Sequence, residues 1–287
     1  MLEAALREDV GAGDVTTSLT VAPRTRGRAV VLTREAGILS GGAAAAWIFH
    51  RVEPELHVEP AVPEGGGFEP GDTLLRVRGP LRGILTAERT ALNVLQRLSG
   101  VATLTRRYVE AVRGTGASIL DTRKTTPGWR ELERAAVRAG GGGNHRLGLW
   151  DAVLVKENHV RAAGGVRSAW RAVAETVGAP GGERDLAFAE IEVRNLSELE
   201  EALDAGARLL LLDNFDPAGL EGAVRRARSL APDAVLEASG GVTLETVGAV
   251  AAAGVDRISV GALTHGARAV DMTLLVEETE PPQEGAA

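Results

Sequence analysis

Hydrophobic and polar positions along the chain fall into two regimes. Up to about residue 100 the pattern is mixed. Residues 27–40 and 72–78 read as strands, Leu56-His57-Val58-Glu59 alternates, and 43–51 reads as a short helix. Turn clusters at Gly65-Gly66-Gly67 and Glu69-Pro70-Gly71-Asp72 separate them. From 86 to about 112 the period becomes helical, with Leu92, Leu95, Leu98 and Val101 on one stripe. This part reads as a small α+β domain closed by a long helix.

After residue 117 short apolar runs alternate with helical stretches. The runs are 118–121, 152–155, 189–193, 209–213, 234–238 and 257–260. Ser197 and Glu200 fit a capping box, Leu199 and Leu203 mark an apolar face, and Gly206 reads as a stop. A helix from Thr243 to Ala253, stopped by Gly254, repeats the plan. Strand–helix alternation implies a parallel sheet covered by helices. Six units suit an α/β barrel that falls short of eight strands. A doubly wound sheet is the rival, but no G-x-G-x-x-G follows the first run. The expected organisation is an α+β domain over 1–105, an α/β barrel over 106–270, and a tail over 271–287 that partly packs back on the first domain and frays from Pro281.

Composition narrows the function classes. A net charge of -7 argues against sequence-independent nucleic-acid or anionic-membrane binding. There is no cysteine, so disulfides, zinc–thiolate sites and a cysteine nucleophile are excluded. No apolar run approaches the ~20 residues of a membrane span, and the acidic start Met1-Leu2-Glu3 lacks the features of a secretory signal. A cytoplasmic location is the expectation. Of 32 basic residues only Lys124 and Lys156 are lysine. A lysine that persists against such an arginine bias points to a position where the planar guanidinium does not serve.

Candidate chemistry gathers where the runs end, which is where α/β barrels place their sites. The ends carry Asp121-Thr122-Arg123-Lys124-Thr125-Thr126-Pro127-Gly128, Lys156-Glu157-Asn158-His159, Glu192, Asp213-Asn214, Ser239-Gly240-Gly241 and Gly261-Ala262. Polar residues cap any strand, but six ends with this charge pattern exceed that. Arg123, Lys124, Arg146 and Lys156 suit carboxylates and phosphates. Glu192 and Asp213 suit Mg²⁺ bridged to a phosphate. Ser239-Gly240-Gly241, ahead of a helix near Thr243, suits a phosphate or a plain tight turn. Gly140-Gly141-Gly142-Gly143-Asn144-His145-Arg146 reads as a flexible loop ending in polar groups. Arg89, Asn93, Gln96 and Arg97 form a polar helix face, which alone reads as solvated. His50 and His57 read as structural.

At these residues the chain resembles the quinolinate phosphoribosyltransferases over nearly its whole length. The blocks are Glu8-Asp9-Val10-Gly11-Ala12-Gly13-Asp14-Val15-Thr16-Thr17, 88–100, 121–128, 141–149, 156–159, Leu212-Asp213-Asn214-Phe215, 237–241 and 259–265. The resemblance implies an open sandwich joined to an incomplete α/β barrel, assembled as a homodimer or a larger oligomer such as a hexamer. It implies that Arg123, His145, Arg146 and Lys156 bind the two quinolinate carboxylates, and that Arg97 reaches the neighbouring subunit's site. Lys124, Glu192, Asp213, Ser239, Gly240, Gly241 and Gly261, with Ala262 beside it, match the side that takes phosphoribosyl pyrophosphate and Mg²⁺. Lys124, Lys156, Glu192 and Asp213 are the catalytic set expected. Two positions depart from the family: Ala139, where cysteine is common, and Arg194, where an acid is common. Glu190 is the alternative to Glu192 as the functional acid. A related pyrophosphorylase of molybdate-transport operons, a Schiff-base aldolase using Lys156, and a catalytically silent metabolite sensor are the rival readings.

Overall fold

The structure, a computed structural model, describes residues 1–177 and 186–280. The chain begins with α1 (Leu2–Val10) and α2 (Val15–Thr20). Asp14 caps α2 by accepting from the Thr17 N–H at 2.9 Å and the Thr17 hydroxyl at 2.6 Å. Next come β1 (Arg26–Thr33), β2 (Gly37–Ile38), α3 (Gly42–Val52), β3 (His57–Pro60), β4 (Gly67–Phe68) and β5 (Thr73–Pro80). Helix α4 (Leu81–Ala111) follows, starting five residues before the sequence pattern turns helical. Its stripe of Leu92, Leu95, Leu98 and Val101 is buried as the spacing requires.

The alternating part of the chain then runs β6 (Ser118–Leu120), α5 (Arg130–Ala139), β7 (Val153–Val155), α6 (Glu157–Ala162), α7 (Val166–Val177), β8 (Ala189–Val193), α8 (Leu196–Asp204) and β9 (Leu209–Asp213). It continues with α9 (Pro217–Leu230), β10 (Val235–Ser239), α10 (Val247–Ala252), β11 (Arg257–Ser259) and α11 (Ala262–His265), and β12 (Met272–Glu280) closes the described chain. Each of the six apolar runs is a strand. Two helix starts differ from expectation. Asn195, not Ser197, caps α8 by accepting from the Glu198 N–H at 2.9 Å, because its side chain lies one residue outside the helix and can fold back. Helix α10 begins at Val247 rather than Thr243; residues 243–246 form a turn, with Thr246 N–H bonded to the Thr243 carbonyl.

The contacts define two compact units. The first holds Met1–Arg106, Thr126–Gly141 and the described residues from Gly266 on; the second holds Arg107–Thr125 and Gly142–His265. The boundaries read from the sequence, 105/106 and 270/271, are contiguous, whereas the units interleave. The frayed tail expected from Pro281 lies outside the described residues.

In the first unit an antiparallel sheet runs β12-β1-β5-β3, beside the short β2–β4 pair. Phe49, Leu74, Leu92 and Leu95 fill its core at 0–1% exposure. Two glycines on α4 and nearby mark where backbones touch. A Cβ on Gly100 would collide with the Arg268 carbonyl, and one on Gly140 with that of Ala102.

In the second unit six parallel strands run β6-β11-β10-β9-β8-β7. The order follows the sequence round once, with a seam between β6 and β7. A doubly wound sheet would reverse direction in the middle, so this is the incomplete α/β barrel. A single bridge, Leu120 to Gly143, lies at the seam. Ile191, Leu210, Leu236 and Ile258 are wholly buried, as expected of strands covered on both faces. Among the described residues no helix is long and apolar enough to cross a membrane.

Candidate active site

Within the second unit the carboxyl ends of the strands open on a cavity of about 700 Å³. Arg123, Lys124, His145, Arg146, Lys156, Glu192, Asp213, Ser239, Gly240, Gly241, Gly261 and Ala262 all line it. These are the residues expected from the sequence, with one exception. Arg97 belongs to the first unit, where its guanidinium bonds the buried carboxylate of Glu133 at 2.7 Å and the Ala267 carbonyl at 2.8 Å. On the same helix face Arg89 and Asn93 are exposed, while Gln96 donates to the Met272 carbonyl. His50 and His57 are exposed and outside the cavity lining.

Local sequence explains the placement. Glycine is required at Gly240, where φ is +99° and a Cβ would strike the Asn214 side chain. Asn214 itself takes φ 57°, which asparagine tolerates. A Cβ on Gly261 would come within 2.9 Å of Lys124 Cδ, so the missing side chain there makes room for the lysine stem. The Lys124 carbonyl accepts from the Thr264 hydroxyl at 2.7 Å.

The loop that looks flexible in sequence is tied down. Asp121 is wholly buried, accepting the His145 N–H at 2.8 Å and the Asn144 amide at 2.6 Å. Asp151 takes the N–H groups of Leu147 and Gly148. The glycine run hid these anchors, since each acid is remote in sequence or reads as an ordinary turn residue.

The charges are coupled. Lys156 Nζ lies 3.0 Å from Glu192 Oε2, and Glu192 Oε1 accepts the Glu157 N–H. Burial raises the Asp213 pKa, and the charge of Glu192 raises it further, against the Asn214 hydrogen bond and the two lysines. Burial lowers that of Arg146, with the Arg123 charge adding to the effect. Between the two candidate acids, Glu192 lines the cavity, whereas Glu190 is wholly buried against His145.

The donor set of Glu192 and Asp213 fits a hard divalent cation: two carboxylates from adjacent strands, one made harder to ionise by burial and by the charge of the other. A tighter group among the described residues is a different one. Ligand atoms of His145, Glu190 and Glu237 lie within 4.8 Å of one another, all buried. Burial works against a charge on the His145 ring, but the Glu190 hydrogen bond and the charges of Glu237 and Glu190 outweigh it and raise its pKa. Burial and the Glu190 charge push Glu237 up to about 7. The Arg146 N–H donates to His145 Nδ1 at 2.8 Å, which opposes a second ring proton. The cluster's extra proton therefore sits better on Glu237.

The chain is similar to known proteins over most of its length. Residues 14–99 match the family model described as quinolinate phosphoribosyl transferase, N-terminal domain, and residues 101–275 match that of the C-terminal domain. The nicotinate-nucleotide pyrophosphorylase [carboxylating] of Mycobacterium leprae is 44% identical over 273 residues, covering 94% of each chain. Quinolinate phosphoribosyltransferase [decarboxylating] 1 of Nicotiana glauca is 39% identical, over 96% of this chain and 81% of that one. The solved nicotinate-nucleotide pyrophosphorylase from Francisella tularensis superposes with a TM-score of 0.88 at 38% identity, covering 96% of this chain and 94% of that one.

Proposed function

This chain belongs to the quinolinate phosphoribosyltransferase family, and from that premise we infer that it transfers the phosphoribosyl group of phosphoribosyl pyrophosphate to quinolinate with decarboxylation. The products are nicotinate mononucleotide, pyrophosphate and CO₂. The observation that carries this reading is the cavity, where Arg123, Lys124, Arg146 and Lys156 converge in a chain of net charge -7. Both substrates are polyanions, and a cationic pocket in an acidic protein selects them.

Arg123 and Arg146 are suited to the two carboxylates of the acceptor, with Lys156 beside them; each such charge-assisted bond is worth roughly 1.5–3 kcal/mol. Lys124, Ser239 and the Gly240-Gly241 turn are suited to the phosphates of the donor. The pyridine nitrogen forms its bond to the anomeric carbon as the carbon–oxygen bond to pyrophosphate breaks. The cations stabilise the departing negative charge. The ring nitrogen is then positive, so the carbon–carbon bond to the adjacent carboxylate breaks with its electrons kept on the ring carbon. That carbon takes a proton from solvent as CO₂ leaves. Glu192 and Asp213 would hold Mg²⁺, which when bound supplies positive charge to the pyrophosphate.

We also propose a homodimer or larger homo-oligomer in which Arg97 contributes to the neighbouring subunit's site. The match of Arg97 to the family's arginine supports this. A cytoplasmic location goes with a donor too highly charged to cross a membrane.

The test incubates the protein with Mg²⁺, phosphoribosyl pyrophosphate and either quinolinate or nicotinate, and follows mononucleotide and CO₂. Turnover of quinolinate with stoichiometric CO₂ is the expected result. Turnover of nicotinate but not quinolinate rejects the reading.

A further inference from the structure

Behind His145 stand two acids that take no part in the mechanism above. Glu190 on β8 and Glu237 on β10 are both 0% exposed and absent from the cavity lining. Glu190 Oε1 has no hydrogen-bond partner among the described residues, and the Glu237 carboxylate has Ser259 and His145 beside it. Two buried carboxylates without full hydrogen bonding cost folding free energy. Their geometry shows what they hold. His145 Nε2 lies 2.9 Å from Glu190 Oε2 and 3.4 Å from Glu237 Oε1. The ring stands edge-on to Phe188, with centroids 5.1 Å apart and an interplanar angle of 87°.

The tautomer follows from the other nitrogen. Nδ1 accepts the Arg146 N–H, so the one proton of a neutral imidazole is on Nε2 and points at Glu190. A metal ion held by His145, Glu190 and Glu237 would need the Nε2 lone pair, which that proton occupies. The trio is therefore built around a proton and not around a cation. Glu190 fixes the ring, the ring fixes the Arg146 peptide, and the Asp121 bond to the His145 N–H fixes the same turn from the other side.

We propose that Glu190 is a positioning residue for acceptor recognition, acting through the His145 imidazole to aim the Arg146 guanidinium into the cavity. The proposal rests on the quinolinate reading of the cavity. Both ring nitrogens are engaged within the protein, which is how His145 holds its neighbour in place.

The experiment has two arms. Steady-state kinetics compare wild type, Glu190→Gln, which keeps an acceptor for Nε2–H, and Glu190→Leu, which does not. The expected result is a quinolinate KM raised about tenfold or more in Glu190→Leu, on the scale of one lost hydrogen bond to a charged group, and a smaller rise in Glu190→Gln. The KM for phosphoribosyl pyrophosphate stays within about twofold in both. Equal changes in both KM values, or none, overturn the proposal. The second arm reads the wild-type His145 ring by ¹⁵N NMR and needs no variant to fold. A neutral ring protonated at Nε2 is expected; a ring protonated at Nδ1, or at both nitrogens, at pH 8 overturns it. If wild type does not turn over quinolinate, the acceptor assignment fails by that control, while the NMR arm still decides the His145 arrangement.

Discussion

At the scale of single residues, the most consequential charge is one that the buried cluster resists. Glu237 is raised from 4.5 to about 7 by burial first and by the Glu190 charge second, with His145, a Ser259 hydrogen bond and Arg257 opposing. The folded protein thus holds this proton more tightly than the unfolded chain does. Its contribution to stability is full below about pH 4.5 and is lost as pH rises through about 7. Glu237→Gln is neutral at every pH and removes that loss. Thermal unfolding at pH 5 and pH 8 is expected to show the variant gaining on wild type at pH 8 by more than at pH 5. A second residue-scale test concerns the donor turn. Gly240→Ala forces alanine into φ +99° and against Asn214. A left-handed alanine alone costs about 1–2 kcal/mol, so a lower melting temperature and a raised KM for phosphoribosyl pyrophosphate are expected together.

At the scale of elements, the ends of the barrel strands carry the site because period and position coincide there. Each of β8 and β10 puts residues two apart on the same face, so Glu190 lies one layer below Glu192, and Glu237 one layer below Ser239. This is why the cavity was legible in the sequence while the layer under it was not. The polar strand ends stand out against apolar runs, but a glutamate inside a run such as Ala189-Glu190-Ile191-Glu192-Val193 gives no sign of which carboxylate meets solvent. The six strands were legible as apolar runs because parallel strands are buried on both faces. The first turns of α8 and α10 were not, since Asn195, Ser197 and Thr243 are all acceptable caps and the choice depends on where the preceding strand releases the chain. The anchoring of Asn144-His145-Arg146 by Asp121 joins residues far apart in sequence and shows only in three dimensions.

Element α5 supplies a further test. Its Glu133 is wholly buried and bonds both Arg97 and the backbone and hydroxyl of Thr126. Removing one partner of such a pair leaves the other short of hydrogen bonds at about 3–5 kcal/mol. Glu133→Ala should therefore lower the chemical-denaturation midpoint markedly, with Arg97 released from its fixed orientation.

At the scale of the whole molecule, the proposed sharing of sites between subunits makes a prediction that single-chain variants cannot. Arg97→Ala and Lys156→Ala are each expected to abolish most turnover alone. Co-refolded from a mixture, the two should recover activity, because some sites then draw an intact Arg97 from one chain and an intact Lys156 from the other. Mixtures as inactive as the parents would place Arg97 outside the catalytic assembly.

The interleaving of the two units bears on how the chain is made. The backbone passes from one unit to the other at 106/107, 125/126, 141/142 and 265/266, so neither unit is a continuous stretch of polypeptide. During synthesis β1 emerges early, but its partner β12 is the last described strand to leave the ribosome. The first sheet must wait with one edge of β1 unpaired until the barrel strands have all been translated. The usual N-terminal-first order of folding on the ribosome is closed to this chain, because the second unit is completely translated before the first.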